Sequence, residues 1–168
     1  LMILFGAIGG AFWATIPALL KTKFNTNEIL TSLMLTYVAL FILDYFVVGP
    51  WKDPAGYGLP KSMPFPDAGR LPVLFDGLRV HIGVYFAIII CFISYIVYNK
   101  TLFGFKLRVS GFSSKASQYA GFKYKNLIFY TFIISGACAG LAGLFEVSGP
   151  IGLLYRDISP NYGFTAII

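Results

Sequence analysis

The chain has 168 residues, of which 57% are hydrophobic and 12% charged, and its formal net charge is +6. Soluble globular domains average about 25% charged residues, so this composition excludes an ordinary soluble domain and favours a membrane protein. A nucleic-acid-binding role is also disfavoured, because the basic residues are divided among short segments between apolar runs.

Four apolar segments are long enough, or nearly so, to cross a bilayer as helices. They cover approximately residues 1–20, 29–49, 82–98 and 127–146. A helix of about 20 apolar residues spans the roughly 30 Å hydrocarbon core. We therefore predict an all-α, polytopic membrane helix bundle that forms a single domain over residues 1–168. The chain begins without Met and stops inside an apolar run, so we expect a fragment truncated at both ends.

Small residues at a spacing of four predict close helix packing in the first and last spans. Gly6 and Gly10 form one GxxxG pair, Gly136 and Gly140 form another, and Gly143 extends the small face of the last span. Such faces let helix backbones approach in lipid, although many unrelated bundles carry them.

Polar residues precede the second span, in the segment FNTNEILTSLMLTY. One interpretation is helix capping, with an Asn or Thr among Asn25, Thr26 and Asn27 as the N-cap and Glu28 in the first turn. The other is a polar helix end that lines a substrate path, with Asn27, Glu28 and Thr31 in it. Capping is the favoured interpretation from the residues alone.

The connection over residues 49–81 is rich in proline and glycine, which oppose regular helix and strand. It also contains many large apolar residues, so we predict a folded external loop with a short interfacial helix near residues 73–80. Either a docking surface or a passive connector agrees with this composition.

The segment GFSSKASQYAGFKYKN, residues 111–126, is polar and basic in an otherwise apolar chain. Ser113 or Ser114 can cap a two-turn helix, and Gly121 can end it. Helical spacing then places Phe112, Ala116, Tyr119 and Ala120 on one side. Two roles remain open: docking in a partner's groove, and resting on anionic lipid headgroups.

Charge distribution orients the spans. Eight of the thirteen basic residues flank the first connection or lie within residues 99–126, where Glu28 is the single acid. Cytoplasmic loops are enriched in Lys and Arg, so we place both connections in the cytoplasm and residues 49–81 outside. No Walker A motif, nucleophile elbow or metal-ligand spacing is found. We therefore expect neither enzymatic chemistry nor a bound metal or cofactor in this chain.

Three stretches resemble the permease subunits of ABC importers for simple sugars and branched-chain amino acids, and are most similar to the nucleoside-uptake branch. They are IPALLKTKFNTNEILTSLMLTYVALFILDYFVVGPWKDP, TLFGFKLRVSGFSSKASQYAGFKYKN and SGACAGLAGLFEVSGPIGLLYRDISPNYGFTAI. Asp44 departs from the pattern, where a neutral polar residue such as Asn is expected.

The resemblance implies a fold similar to type II importers and a function in nucleoside uptake across the bacterial plasma membrane. Simple-sugar or branched-chain amino acid transport are alternatives, and a membrane-embedded enzyme or structural protein is the rival from another class. The implied partners are an ABC ATPase that binds ATP and Mg, a second permease subunit, an extracytoplasmic binding lipoprotein and membrane lipid, but no nucleic acid.

The resemblance also assigns residues. It implies that a cytoplasmic coupling helix docks on the ATPase and that Tyr162 lies near the substrate path. The implied coupling residues are Gly111, Phe112, Ser113, Ser114, Lys115, Ala116, Tyr119 and Gly121.

Overall fold

The computed structural model describes residues 1–54, 60–66, 69–71, 82–155 and 158. In chain order, the elements within this part are α1 (Met2–Phe24), α2 (Glu28–Val48), α3 (Gly83–Lys100), α4 (Leu102–Phe112), α5 (Ser114–Tyr119) and α6 (Tyr124–Glu146), and a π-helical turn over Val147–Ile151 follows α6.

Four of these helices, α1, α2, α3 and α6, are long and apolar enough to cross a membrane, which confirms the predicted helical membrane bundle. Only 11% of the most apolar window of α1 is buried inside the chain, and only 6% in each of the other three. Apolar side chains left this exposed would destabilise a protein in water, whereas lipid or neighbouring helices cover them in a bilayer.

The helix ends differ by a few residues from the predicted ones. α1 continues through Lys21 and Lys23 to Phe24, since basic side chains in a last turn are favourable at the negative end of the helix dipole. It stops at Asn25, which adopts the left-handed conformation with φ of 53°. α6 begins at Tyr124, one turn before its apolar run.

Among the described helices, α1 and α6 approach each other most closely. A Cβ atom at Gly10 would lie 2.7 Å from the Gly140 Cα, and one at Gly140 would lie 2.8 Å from the Gly10 Cα. Gly136 also faces Gly10, and Gly6 faces Gly140 and Leu144. Residue numbers rise along one helix as they fall along the other, so the two helices are antiparallel. We call this contact the glycine seam. Gly143 is not part of it, because a Cβ there would meet nothing within 4 Å.

The described part of the external loop is folded against the segment that follows α6. The Ser62 backbone N–H donates to the Leu154 carbonyl at 2.8 Å, and the Leu154 N–H donates to the Ser62 hydroxyl at 2.8 Å. The Phe65 N–H donates to the Gly152 carbonyl at 2.8 Å. These bonds satisfy the backbone of a proline-rich segment that cannot form its own helix. The interfacial helix predicted near residues 73–80 lies outside the described residues.

Candidate functional site

The ends of several helices meet at one end of the bundle, where α4 and α5 also lie. A cavity of about 310 Å³ there is lined by α1, α2, α4 and α6. Lys21 at the end of α1 pairs with Glu28 at the start of α2 at 2.5 Å. We call this region the basic end, because Lys100 and Lys123 also lie at the helix ends that point towards it. This pairing is exposed to solvent, so it orients the α1–α2 connection more than it stabilises the fold.

α4 is fixed tightly to the end of α3, and the sequence did not predict this helix. The Thr101 hydroxyl accepts from the Gly104 N–H at 3.3 Å and donates to the Val97 carbonyl at 2.6 Å. Gly104 is buried, and a Cβ there would lie 2.5 Å from the Val97 carbonyl oxygen. Only glycine permits this approach without a shift of the backbone.

The caps of α5 are those that the sequence predicts for a two-turn helix. Of the two candidate serines, the structure uses Ser113, whose hydroxyl accepts from the Ala116 N–H at 3.2 Å; Ser114 is the first helical residue. Gly121 has φ of +74°. The Gly121 N–H bonds to the Gln118 carbonyl and the Phe122 N–H to the Ser117 carbonyl, both at 3.0 Å. These two bonds form a Schellman motif, which ends the helix sharply.

Ser117 is the side chain of α5 that faces the bundle. It is fully buried, and its hydroxyl lies 2.8 Å from the Ser110 hydroxyl on α4. Beyond the end of α5, the Phe122 ring contacts Phe105 of α4 edge to face, with 5.6 Å between Lys106 Nζ and the same ring. The sequence analysis did not identify Ser110 and Ser117. Their spacing of seven residues, equal to two helical turns, was a usable signal that the two serines lie on the same side.

The opposite side of α5 is exposed, and one aromatic ring stands at each side of the α4–α5 junction. Phe112, the last residue of α4, and Tyr119, the last residue of α5, are 92% and 93% exposed. Lys115 and Ala116 lie between them and are also exposed. Thus the apolar face predicted from helical spacing does not pack on the bundle. Two aromatic rings held almost fully in the open at neighbouring helix ends are typical of an interaction surface.

Asn27 and Thr31, at the start of α2, are satisfied locally, whereas the Thr26 hydroxyl is buried without a hydrogen-bond partner among the described residues. The Asn27 side chain accepts from the Ile29 N–H at 3.0 Å, and the Thr31 hydroxyl donates to the Asn27 carbonyl at 3.0 Å. This geometry is the capping arrangement that the sequence favoured. Among Asn27, Glu28 and Thr31, Glu28 lines the 310 Å³ cavity. Tyr162 lies outside the described residues.

The described residues offer no obvious metal site, since no three His, Cys, Asp or Glu residues among them are grouped closely enough to hold an ion. The two cysteines, Cys91 and Cys138, are both free thiols within the spans.

Comparison with known proteins places the chain among transport permeases. The glucose ABC transporter permease protein of Haloferax volcanii is 38% identical over 99% of this chain and 46% of its own length. The guanosine ABC transporter permease protein of Bacillus subtilis is 34% identical over 89% and 43%, respectively. A nucleoside ABC transporter permease protein of Lactococcus lactis is 29% identical over 86% and 42%. The chain thus spans less than half the length of these relatives.

No solved structure matches the chain. The family match, in contrast, covers residues 1–168 and carries the description "Branched-chain amino acid transport system / permease component". The protein is therefore a multi-pass membrane protein that belongs to this family of ABC transporter permeases.

Proposed function

We propose that the protein is a transmembrane permease subunit of an ATP-driven importer, in which α5 docks on a separate ATPase. The observation that carries this proposal is the geometry of α5. Its buried side holds one hydroxyl contact to α4, its outer side presents Tyr119, and Phe112 is exposed at the adjoining end of α4. A short helix flanked by two exposed aromatic anchors suits insertion into a groove on a soluble partner.

The connection from α5 to the membrane supports a coupling role. α5 is attached to α4 by the Ser110–Ser117 contact and by Phe122, and α4 is attached to α3 by Gly104. In this proposal a displacement of α5 reaches α3 through these contacts, of which the Gly104 joint is the most closely packed. ATP and Mg bind to the ATPase in this proposal, and the chain itself performs no chemistry and binds no cofactor.

The substrate we propose is a nucleoside, with a simple sugar as second candidate. Relatives that transport guanosine or other nucleosides, by their names, support the first. The identity of 38% to a glucose permease supports the second. We place Glu28 on the path because it lines the cavity at the basic end, and propose Asn27, Thr31 and Tyr162 there on the family resemblance. A second permease chain and an extracytoplasmic binding lipoprotein complete the proposed assembly.

Cross-linking tests the docking proposal in the intact complex. Cys91 and Cys138 are replaced by alanine, and Ala116→Cys then introduces a single exposed thiol on α5. We expect a disulfide with cysteines placed around the ATPase cleft. Trp51→Cys is the matched control, because Trp51 is also half exposed but lies at the opposite end of the bundle. An intact, membrane-inserted Ala116→Cys protein that gives no more cross-link than the control contradicts the proposal.

Uptake assays with the same complex test the substrate. Labelled guanosine is offered with unlabelled nucleosides, glucose or branched-chain amino acids as competitors. Guanosine uptake that nucleosides alone reduce supports the first candidate, whereas absence of guanosine uptake together with uptake of labelled glucose replaces it with the second.

A further inference from the structure

A second cavity at the basic end, distinct from the one that contains Glu28, is lined by the start of α6, by α4 and by the segment between α5 and α6. Its volume is about 420 Å³, within the range of small-molecule sites. Its polar lining residues are Lys106, Lys123 and Asn126, and its other walls include Phe103 and Tyr130. We call it the lysine cavity.

The lysine cavity carries positive charge that the surrounding chain does not balance. Residues 82–145 contain six basic residues and no Asp or Glu. The single salt bridge found among the described residues joins Lys21 to Glu28, outside this cavity. Lys106 is half-buried and its Nζ lies 5.6 Å from the Phe122 ring centre. No carboxylate within residues 82–145 balances this charge.

The wall of the cavity continues into the membrane. Asn126 and Tyr130 are one turn apart on α6, a spanning helix that begins at Tyr124. At 1.5 Å per residue, Tyr130 lies about 9 Å further along the helix than Tyr124. Tyr130 is 53% exposed, and an aromatic ring at this depth is typical of the membrane interface. The cavity is thus cationic at its mouth and apolar along its deeper wall.

We propose that the lysine cavity binds an anionic phospholipid of the inner leaflet. Lys106 and Lys123 pair with the headgroup phosphate, the Asn126 side-chain amide donates to a phosphate or ester oxygen, and the acyl chain lies along Tyr130. Basic pockets beside spanning helices on the cytoplasmic side suit this class of ligand. A free phosphate would share the polar contacts but would leave the apolar wall unused.

The proposal is tested on the purified full-length permease in complex with its ATPase. Native mass spectrometry measures the retention of phosphatidylglycerol, with phosphatidylcholine and inorganic phosphate as separate arms. Lys106→Gln with Lys123→Gln is the test variant. Lys23→Gln with Lys125→Gln is the control, because it removes the same charge from exposed lysines of the basic end that do not line the cavity. Each cavity lysine should contribute about fivefold, so the double variant should weaken phosphatidylglycerol binding about 25-fold.

The outcomes distinguish three ligands for the cavity lysines: an anionic lipid, a free phosphate and the ATPase. The proposal predicts a large loss for the cavity variant, little change for the control, and no displacement of the lipid by millimolar inorganic phosphate. An equal loss in both variants indicates general attraction to anionic lipid and overturns it. Displacement by inorganic phosphate assigns the cavity to a free anion, and loss of ATPase binding with unchanged lipid retention assigns the lysines to the protein partner. Asn126→Leu provides a second variant if the lysine variant fails to fold, and it too should lower retention.

Discussion

Gly140→Ala is the substitution that most sharply tests the glycine seam. The added Cβ would lie 2.8 Å from the Gly10 Cα, and the Gly6 carbonyl oxygen would also contact it. Ordinary carbon–carbon contacts lie at about 3.5–4.0 Å. The two helices must therefore separate by about 1 Å, because both clashing groups are backbone and cannot rotate away.

Gly143→Ala is the matched control on the same helix, one turn towards its end. A Cβ there meets nothing within 4 Å. Both substitutions replace glycine by alanine within α6, so both gain the same helix propensity, up to about 1 kcal/mol. Overpacking costs about 1–3 kcal/mol. The free energy of unfolding of Gly140→Ala should thus fall below that of Gly143→Ala by about 1–3 kcal/mol, because the propensity gain is common to both.

The assay is equilibrium unfolding in mixed micelles, followed by the fluorescence of Trp13. This residue lies in α1 one turn from Gly10 and lines a cavity beside the seam. The other tryptophan of this sequence, Trp51, is replaced by phenylalanine, so that the signal reports the seam alone. A Gly140→Ala variant as stable as Gly143→Ala would refute the close approach of α1 and α6.

Three further substitutions test the attachment of α5 and α4. Ser117→Ala leaves the Ser110 hydroxyl without its partner at 2.8 Å and should lower the local stability of α5 by about 1 kcal/mol. Amide hydrogen exchange of α5 should therefore become about fivefold faster. Unchanged exchange would contradict the contact. Ser113→Ala removes the hydrogen bond that the Ser113 hydroxyl accepts from the Ala116 N–H, and should lower the stability of α5 by about 0.5–2 kcal/mol. Ser113→Asp should retain most of this capping stability. Amide exchange measures both effects. Gly104→Ala places a Cβ 2.5 Å from the Val97 carbonyl oxygen and should lower the midpoint of thermal unfolding and reduce ATP-driven uptake. A Gly104→Ala protein with normal uptake and stability would show that the α3–α4 joint is not rigid.

The spans were predictable because lipid imposes a strong and local requirement. Every backbone group must be bonded within the helix and every outer side chain must be apolar, so the pattern of hydropathy alone reveals α1, α2, α3 and α6. The caps of α5 were predictable for a similar reason. Ser113 and Gly121 act on neighbouring backbone groups, and their chemistry does not depend on distant contacts.

The inward face of α5 could not be predicted, because it depends on a tertiary contact. Helical spacing separates the apolar side chains from the polar ones but does not say which side meets the bundle. In the structure the small, polar Ser117 packs against α4 and the aromatic residues Phe112 and Tyr119 stay exposed. Likewise α4 was missed, since its start depends on Gly104 fitting against the last carbonyls of α3. Both cases depend on how closely two helices approach each other, and composition does not reveal that distance.

The hydrogen bonds between the external loop and the segment after α6 also could not be predicted from the sequence. Ser62 and Leu154 are 92 residues apart, and nothing in either segment marks the other as its partner. The proline content indicated that regular helix and strand are disfavoured over residues 49–81. What it could not specify is where the freed backbone groups find their hydrogen bonds.

The central claim is that α5 docks on an ATPase through Tyr119 and the neighbouring Phe112 at the end of α4. The most direct measurement is the equilibrium binding of purified ATPase to the full-length permease in nanodiscs, with Tyr119→Ala as the variant. Tyr119 is 93% exposed, so its replacement should leave the permease fold unchanged. An aromatic anchor at the centre of an interface contributes at least about 2 kcal/mol, so we predict that the ATPase binds at least about 30-fold more weakly. Unchanged affinity for both Tyr119→Ala and Phe112→Ala, in permease that remains folded, would contradict the docking role of α5.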